Sequence, residues 1–230
     1  MATGSTLRER RPSRERREAI ARVVAAYDDW VIRSYCRVRF VILRQRFLDE
    51  ISQYLPPRGD VLDLGCGFGL FSLYYAQARP DLSFHGLDMD ARRVGIAREA
   101  GRRLGLTNVE YVVGDARDFR ARREYAGAYM LDIVHHIEPE AVRPLLIELH
   151  AALAPGGCLV VKDVDSRPAY KRWFTHALDL LVSPKSPPHY WPAETLQAAL
   201  ENVGFQVFRH AMVDFLPYPH VLYICRKPVA

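Results

Sequence analysis

Val61-Leu62-Asp63-Leu64-Gly65-Cys66-Gly67-Phe68-Gly69 is the stretch that decides how this chain is read. Val61 to Leu64 form a short apolar run of the kind a buried parallel strand needs. Gly65, Gly67 and Gly69 then turn the chain toward a helix beginning near Leu70. Glycine at such a turn permits positive φ and lets a ligand come up to the backbone. The helix N-terminus that follows offers unpaired N–H groups and the positive end of its dipole, so a carboxylate or phosphate is welcome. Spacing separates the candidates. A dinucleotide fingerprint, G-x-G-x-x-G, asks for Gly or Ala at position 70, where this chain has Leu70. Asp63, inside the strand end, adds an acceptor for an ammonium group. An acid followed by G-x-G-x-G suits a zwitterion better than a pyrophosphate.

The pattern continues downstream in order. Asp81 to Asp88 reads as a second strand ending in an acid, with Met89 beside it. Val109 to Val113 reads as a third, ending in Gly114-Asp115-Ala116. Ala128 to Asp132 reads as a fourth, running into Ile133-Val134-His135-His136-Ile137. The turn Leu153-Ala154-Pro155-Gly156-Gly157 leads into a fifth, Cys158 to Lys162. Asp63-Leu64-Gly65-Cys66-Gly67-Phe68-Gly69 resembles motif I of the class I S-adenosylmethionine-dependent methyltransferases, and the later motifs follow that family's order over residues 61–163. The resemblance implies a cofactor set. Asp63, Gly65, Cys66, Gly67 and Gly69 would surround the methionine part, Asp88 the ribose diol and Met89 the adenine. Gly114, Asp115 and Ala116 would meet the adenine edge, with Leu131 and Asp132 completing the set at the fourth strand. Each acid also has a plainer reading. Asp88 can cap a helix starting at Ala91, and Asp115 can be an ordinary turn residue.

At 230 residues the chain suits one α/β domain with a modest elaboration. No apolar run approaches the roughly 18 residues that span a bilayer, and no signal-peptide core is present. Cys36, Cys66, Cys158 and Cys225 are far apart and show no metal-ligand spacing. They read as reduced thiols of a cytoplasmic protein, and no metal is expected.

The net charge of +5 is unevenly spread, because residues 1–46 hold twelve arginines against five acids. Residues 1–17 read as a disordered or frayed basic terminus. Residues 18–55 read as a cap of two amphipathic helices ended by Pro56-Pro57, with the aromatic and basic stretch Trp30 to Phe40 between them. Three readings of this cap stand side by side. It is a structural cap with solvated arginines, or a lid bringing Tyr27, Trp30 and Tyr35 to the substrate. The third is a contact with a membrane surface or acidic lipid. Nucleic acid is disfavoured, since the basic residues interleave with acids and no RNA-binding module is recognisable.

Residues 56–230 then make the catalytic domain. A helix is expected over 170–182, a proline-rich segment over 183–188 and a helix from Ala193 to Asn202. Strands are expected over 203–213 and 221–226, joined by Pro217-Tyr218-Pro219. The stretch 164–192 exceeds what a crossover needs and leaves a strand's carboxyl end, so it reads as a substrate-covering insertion.

The expected fold is α/β and doubly wound: a mostly parallel seven-stranded sheet, Rossmann-like, with an N-terminal helical cap. The expected function is methyl transfer from S-adenosylmethionine, leaving S-adenosylhomocysteine, to a small-molecule acceptor with an aromatic or lipid-like character. A proton acceptor is needed only if the acceptor must lose a proton. Histidine suits that task near neutral pH, so His136, and next His135, are the candidates. The plainer reading has the pair capping or packing beneath the following helix. Asp163 and Tyr190 are substrate candidates by position near strand ends. The competing functions are a non-catalytic S-adenosylmethionine-binding subunit and an NAD-dependent oxidoreductase.

Overall fold

The structure, a computed structural model, describes residues 14–42, 44–166, 188–212 and 220–229. The helix expected over 170–182, all but the last residue of the proline-rich segment, the Pro217-Tyr218-Pro219 turn and most of the 164–192 insertion lie outside the described residues. Seven strands form one sheet: β1 (Gly59–Leu64), β2 (Leu82–Asp88), β3 (Val109–Val113), β4 (Tyr125–Leu131), β5 (Leu153–Val164), β6 (Gln206–Ala211) and β7 (His220–Arg226). Their order is β3-β2-β1-β4-β5-β7-β6. Pairings among β1 to β5 are parallel, and β7 runs antiparallel to both β5 and β6. The sheet is therefore mostly parallel, as its apolar strand runs require.

Three helices precede the sheet: α1 (Arg14–Ala26), α2 (Trp30–Ile42) and α3 (Arg44–Tyr54). The stretch from Trp30 to Phe40, expected as a connection between two helices, is itself helical. Asp29 explains this, because its Oδ1 accepts the Val31 and Ile32 N–H groups at 2.8 and 3.4 Å and starts a new helix. Beyond β1 come α4 (Leu70–Ala78), α5 (Ala91–Arg103), α6 (Pro139–Ala152) and α7 (Ala193–Asn202), with single 3₁₀ turns at Ala116–Asp118 and Val134–His136.

Strand alternation divides the core into two layers. Val61, Phe84, Tyr111, Tyr129 and Val160 face α1 to α5. Leu62, Leu64, Met130, Leu159, Val161 and Cys225 face α6 and α7. The four cysteines are free and buried. Among the described residues no helix is long and apolar enough to cross a membrane.

Candidate active site

The glycine loop leaves the carboxyl end of β1 and is stitched to the end of β2. Gly65 and Cys66 donate their N–H groups to Leu87 O at 2.7 and 3.1 Å. Asp88 Oδ2 accepts the Gly67 N–H at 2.8 Å, and Oδ1 accepts the Asp90 N–H at 2.9 Å. The helix cap that Asp88 was a candidate for belongs to Asp90, whose carboxylate accepts the Arg92 and Arg93 N–H groups. Asp88 is thus turned toward the loop. Gly65 and Gly67 both have positive φ. Their surroundings differ: a Cβ on Gly65 would collide with the Ile133 side chain, whereas one on Gly67 meets nothing within 4 Å. The loop is packed from beneath and open at Gly67.

Asp63 sits under this loop in a row of side chains crossing the sheet. Its register partners are Gly86 and Tyr129, and Tyr111 lies beyond Gly86. Asp63 is buried, and neither its Oδ2 nor the Tyr129 hydroxyl has a hydrogen-bond partner in the protein. Burial pushes the Asp63 carboxyl up to about 7, opposed by the nearby Ser72 and Tyr129 hydroxyls. A buried carboxylate oxygen left without a donor costs free energy unless a ligand supplies one. An ammonium group does so. The open loop above Gly67, the positive end of α4 and this orphaned oxygen fit the amino-acid part of S-adenosylmethionine.

The remaining cofactor candidates line the same sheet edge. Met89 is largely exposed beside Asp88. The Gly114 N–H donates to Asp88 O at 3.0 Å, bringing the ends of β2 and β3 together. Asp115 caps the 3₁₀ turn that Ala116 begins, accepting the Arg117 N–H at 2.9 Å. The Arg117 guanidinium holds its carboxyl below the ordinary range. Leu131 is buried at the end of β4.

Asp132 has φ +59, and it alone among the described non-glycine residues has positive φ. Its carboxylate is engaged by the protein's own cations. Lys162 Nζ donates to Oδ1 at 2.5 Å, Arg39 pairs with Oδ2, and His220 Nε2 stands 3.9 Å away. Burial opposes the Asp132 charge, yet Lys162, Arg39 and His220 overcome it and hold the carboxyl well below the usual range. Lys162 is fully buried, with Nζ 5.7 Å from the centre of the Phe47 ring. Sequence reading missed Tyr129, Arg39 and Lys162. The one available signal was Lys162, a charge ending an apolar strand run.

Of the candidates on the N-terminal cap, Tyr27 and Tyr35 reach the loop and Trp30 does not. The buried Tyr27 donates its hydroxyl to Phe68 O at 2.9 Å, and the Tyr35 ring meets the Phe68 ring edge-on at 5.9 Å. Trp30 stands on the outer side of α2.

Past β4, Asp163 Oδ2 accepts the His135 N–H at 2.9 Å and Oδ1 is paired with His135 Nδ1. His135 is buried, its ring stacked on Tyr190 at 5.6 Å and 4.1 Å from the half-buried His136. The structure thus gathers His135, His136, Asp163 and Tyr190 in one cluster at the carboxyl ends of β4 and β5.

Known proteins share the fold that carries these residues. The family described as "Methyltransferase domain" matches residues 33–210. Trans-aconitate 2-methyltransferase of Pseudomonas paraeruginosa is 31% identical over 150 residues, covering 64% of this chain and 50% of the relative. Ribosomal RNA small subunit methyltransferase G of Deinococcus deserti is 32% identical over 126 residues, covering 53% and 50%. The chain thus spans about half the length of these curated relatives. A solved S-adenosylmethionine-dependent methyltransferase from Methanosarcina mazei superposes with a TM-score of 0.64 at 19% identity, covering 79% of this chain and 98% of that one. With the family matching residues 33–210, more than half of the chain, and the sheet order, glycine loop and strand-end acids in place, this chain belongs to the class I S-adenosylmethionine-dependent methyltransferases.

Proposed function

We propose that the chain transfers the methyl group of S-adenosylmethionine to a small-molecule acceptor, on oxygen, nitrogen or carbon. The observation that carries this reading is the buried, unpartnered Asp63 Oδ2 beneath the open Gly67. S-adenosylmethionine, when bound, supplies a methyl group made electrophilic by its sulfonium. The protein's part is placement. Asp63 receives the ammonium group, Asp88 the ribose hydroxyls, and Met89, Gly114, Asp115 and Ala116 the adenine. Gly65, Cys66, Gly67, Gly69 and Leu131 shape the wall between them.

Three contacts pin the N-terminal cap over this edge: Tyr27 to Phe68 O, Tyr35 to Phe68 and Arg39 to Asp132. Such a cover excludes water and suits a small acceptor better than a folded RNA, although one relative acts on ribosomal RNA by its name. Its aromatic lining favours an aromatic or lipid-like acceptor, with Tyr35 and Tyr190 nearest to it. Where the acceptor must lose a proton, His136 takes it. His135, fixed by Asp163, is the positioning residue that sets the His136 ring. Leu70 opens α4 directly, so the NAD-dependent reading is not kept.

The test is release of S-adenosylhomocysteine on incubation with phenols, small acids, amines, isoprenoid quinol precursors and ribosomal RNA. Turnover with a small molecule and none with RNA is expected, with kcat lowered in His136→Ala while cofactor affinity holds. Turnover confined to RNA overturns the acceptor class. Cofactor binding without turnover on any acceptor returns the reading to a non-catalytic binding subunit.

A further inference from the structure

Helix α2 is apolar on both sides. Ile32, Cys36 and Phe40 are buried in the core. Trp30, Val31, Val38 and Val41 fall by helical spacing on the opposite arc, with Ser34 among them, Arg37 at one edge and Tyr35 at the other. Trp30 and Val41 are 75% and 76% exposed, and Val31 and Val38 are 53% and 56% exposed. A helix that only had to pack on its own sheet would carry polar residues on that side. Single exposed apolar residues need no explanation, whereas four on one arc of a 13-residue helix mark a contact surface.

The charge distribution says what it contacts. The chain has 32 Lys and Arg against 27 Asp and Glu, and residues 1–46 take twelve of the first and five of the second. Beyond residue 46 there remain 20 basic against 22 acidic residues, so the whole basic excess lies in the segment that carries the apolar arc. Arg17 and Arg37 are among its exposed arginines. An apolar protein partner would not require that excess, and a nucleic acid would not require a tryptophan and three valines. Both features together match an anionic lipid surface, which takes an apolar helix face below its headgroups and arginines at their level.

We propose that α2 docks this protein on an anionic membrane surface, the helix lying in the plane of the interface with the exposed Arg37 at the edge of its apolar arc. Trp30, at the N-terminal end of the arc, sits at headgroup depth. The inner side of the same helix carries Arg39, paired with Asp132, and Tyr35 edges against Phe68. Docking therefore sets the cover of the candidate active site against the lipid. Nothing here depends on the identity of the methyl acceptor.

The test is co-sedimentation of the full chain with phosphatidylcholine vesicles, with and without phosphatidylglycerol. Partition onto the anionic vesicles is expected to exceed that onto neutral ones by roughly tenfold or more and to weaken with added salt. Val38→Asp combined with Val41→Asp should lower it by about tenfold or more, with S-adenosylmethionine affinity unchanged because neither residue touches the site. Absence of partition, equal partition onto neutral vesicles, or an unaffected double variant each overturns the proposal. If light scattering instead shows a wild-type dimer that the double variant converts to monomer, without vesicle binding, the face belongs to a second copy of the chain.

Discussion

Asp88, at the end of β2, holds the Gly67 N–H in the middle of the glycine loop at 2.8 Å. The same carboxylate is the proposed ribose ligand, so under that proposal it would both shape the loop and meet the cofactor. Asp88→Ala should lower S-adenosylmethionine affinity by about 10- to 100-fold, since hydrogen bonds to a charged group are worth roughly 1.5–3 kcal/mol each. Calorimetric titration measures this. Asp88→Asn, which keeps one acceptor oxygen, should lose less. Equal losses in the two variants would show that the ribose contact does not depend on the charge.

The glycines of the loop should separate folding from binding. Gly65→Ala meets Ile133 and a positive φ together, so it should destabilise the fold by about 1–3 kcal/mol in urea denaturation. Gly67→Ala adds a methyl group to open space at the cost of an αL conformation, about 1 kcal/mol. Its fold should survive while cofactor binding fails. A Gly67→Ala protein that binds S-adenosylmethionine as well as wild type would mean the cofactor does not lie over Gly67.

Asp63 predicts a pH dependence. Its folded carboxyl is raised to about 7 from an ordinary value of 3.8. The ligand-free folded state therefore keeps a proton that the unfolded state releases. That contribution is fully present below about pH 4 and is lost as pH rises toward 7. Asp63→Asn should accordingly gain stability relative to wild type between about pH 5 and pH 8 in thermal denaturation. An ammonium ligand needs the carboxylate, so wild-type affinity should rise over the same interval with release of a proton. Asp63→Asn should lose that slope. Identical slopes would remove Asp63 from the ammonium contact.

Much of the sheet was legible because its punctuation is local. Pro192 and Gly204 bracket α7 at the residues expected, and the stretch Val109 to Val113 is β3 without adjustment. The glycine loop and strand-end acids could be read because their chemistry lies within short windows. The N-terminal cap could not be divided correctly. α2 has a buried arc and an exposed arc that are both apolar, so its periodicity is blurred, and only the Asp29 cap marks its start. The Asp132 cluster was illegible for another reason. Arg39 lies 93 positions from Asp132, and only the fold brings them together. Asp163 likewise gave no sign in sequence that it would select His135 over His136 as its partner.

Lys162 offers a test of the buried cluster. Lys162→Met removes the fully buried partner of Asp132 while keeping the apolar stem, and leaves Arg39 and His220 beside the carboxylate. Breaking a buried pair from one side costs about 3–5 kcal/mol, which should lower the urea midpoint markedly. Adding Asp132→Asn should recover part of the loss, because asparagine also tolerates positive φ. A single variant as stable as wild type would show that the pair is dispensable to the fold.

Asp63 and the loop above it are the proposed binding site for S-adenosylmethionine. Titration calorimetry with the full chain decides this, comparing S-adenosylmethionine with NAD and wild type with Asp63→Ala. The expected result is saturable binding of S-adenosylmethionine, strongly weakened in Asp63→Ala, and no heat from NAD. Binding of NAD in place of S-adenosylmethionine, or an Asp63→Ala affinity equal to wild type, would contradict it.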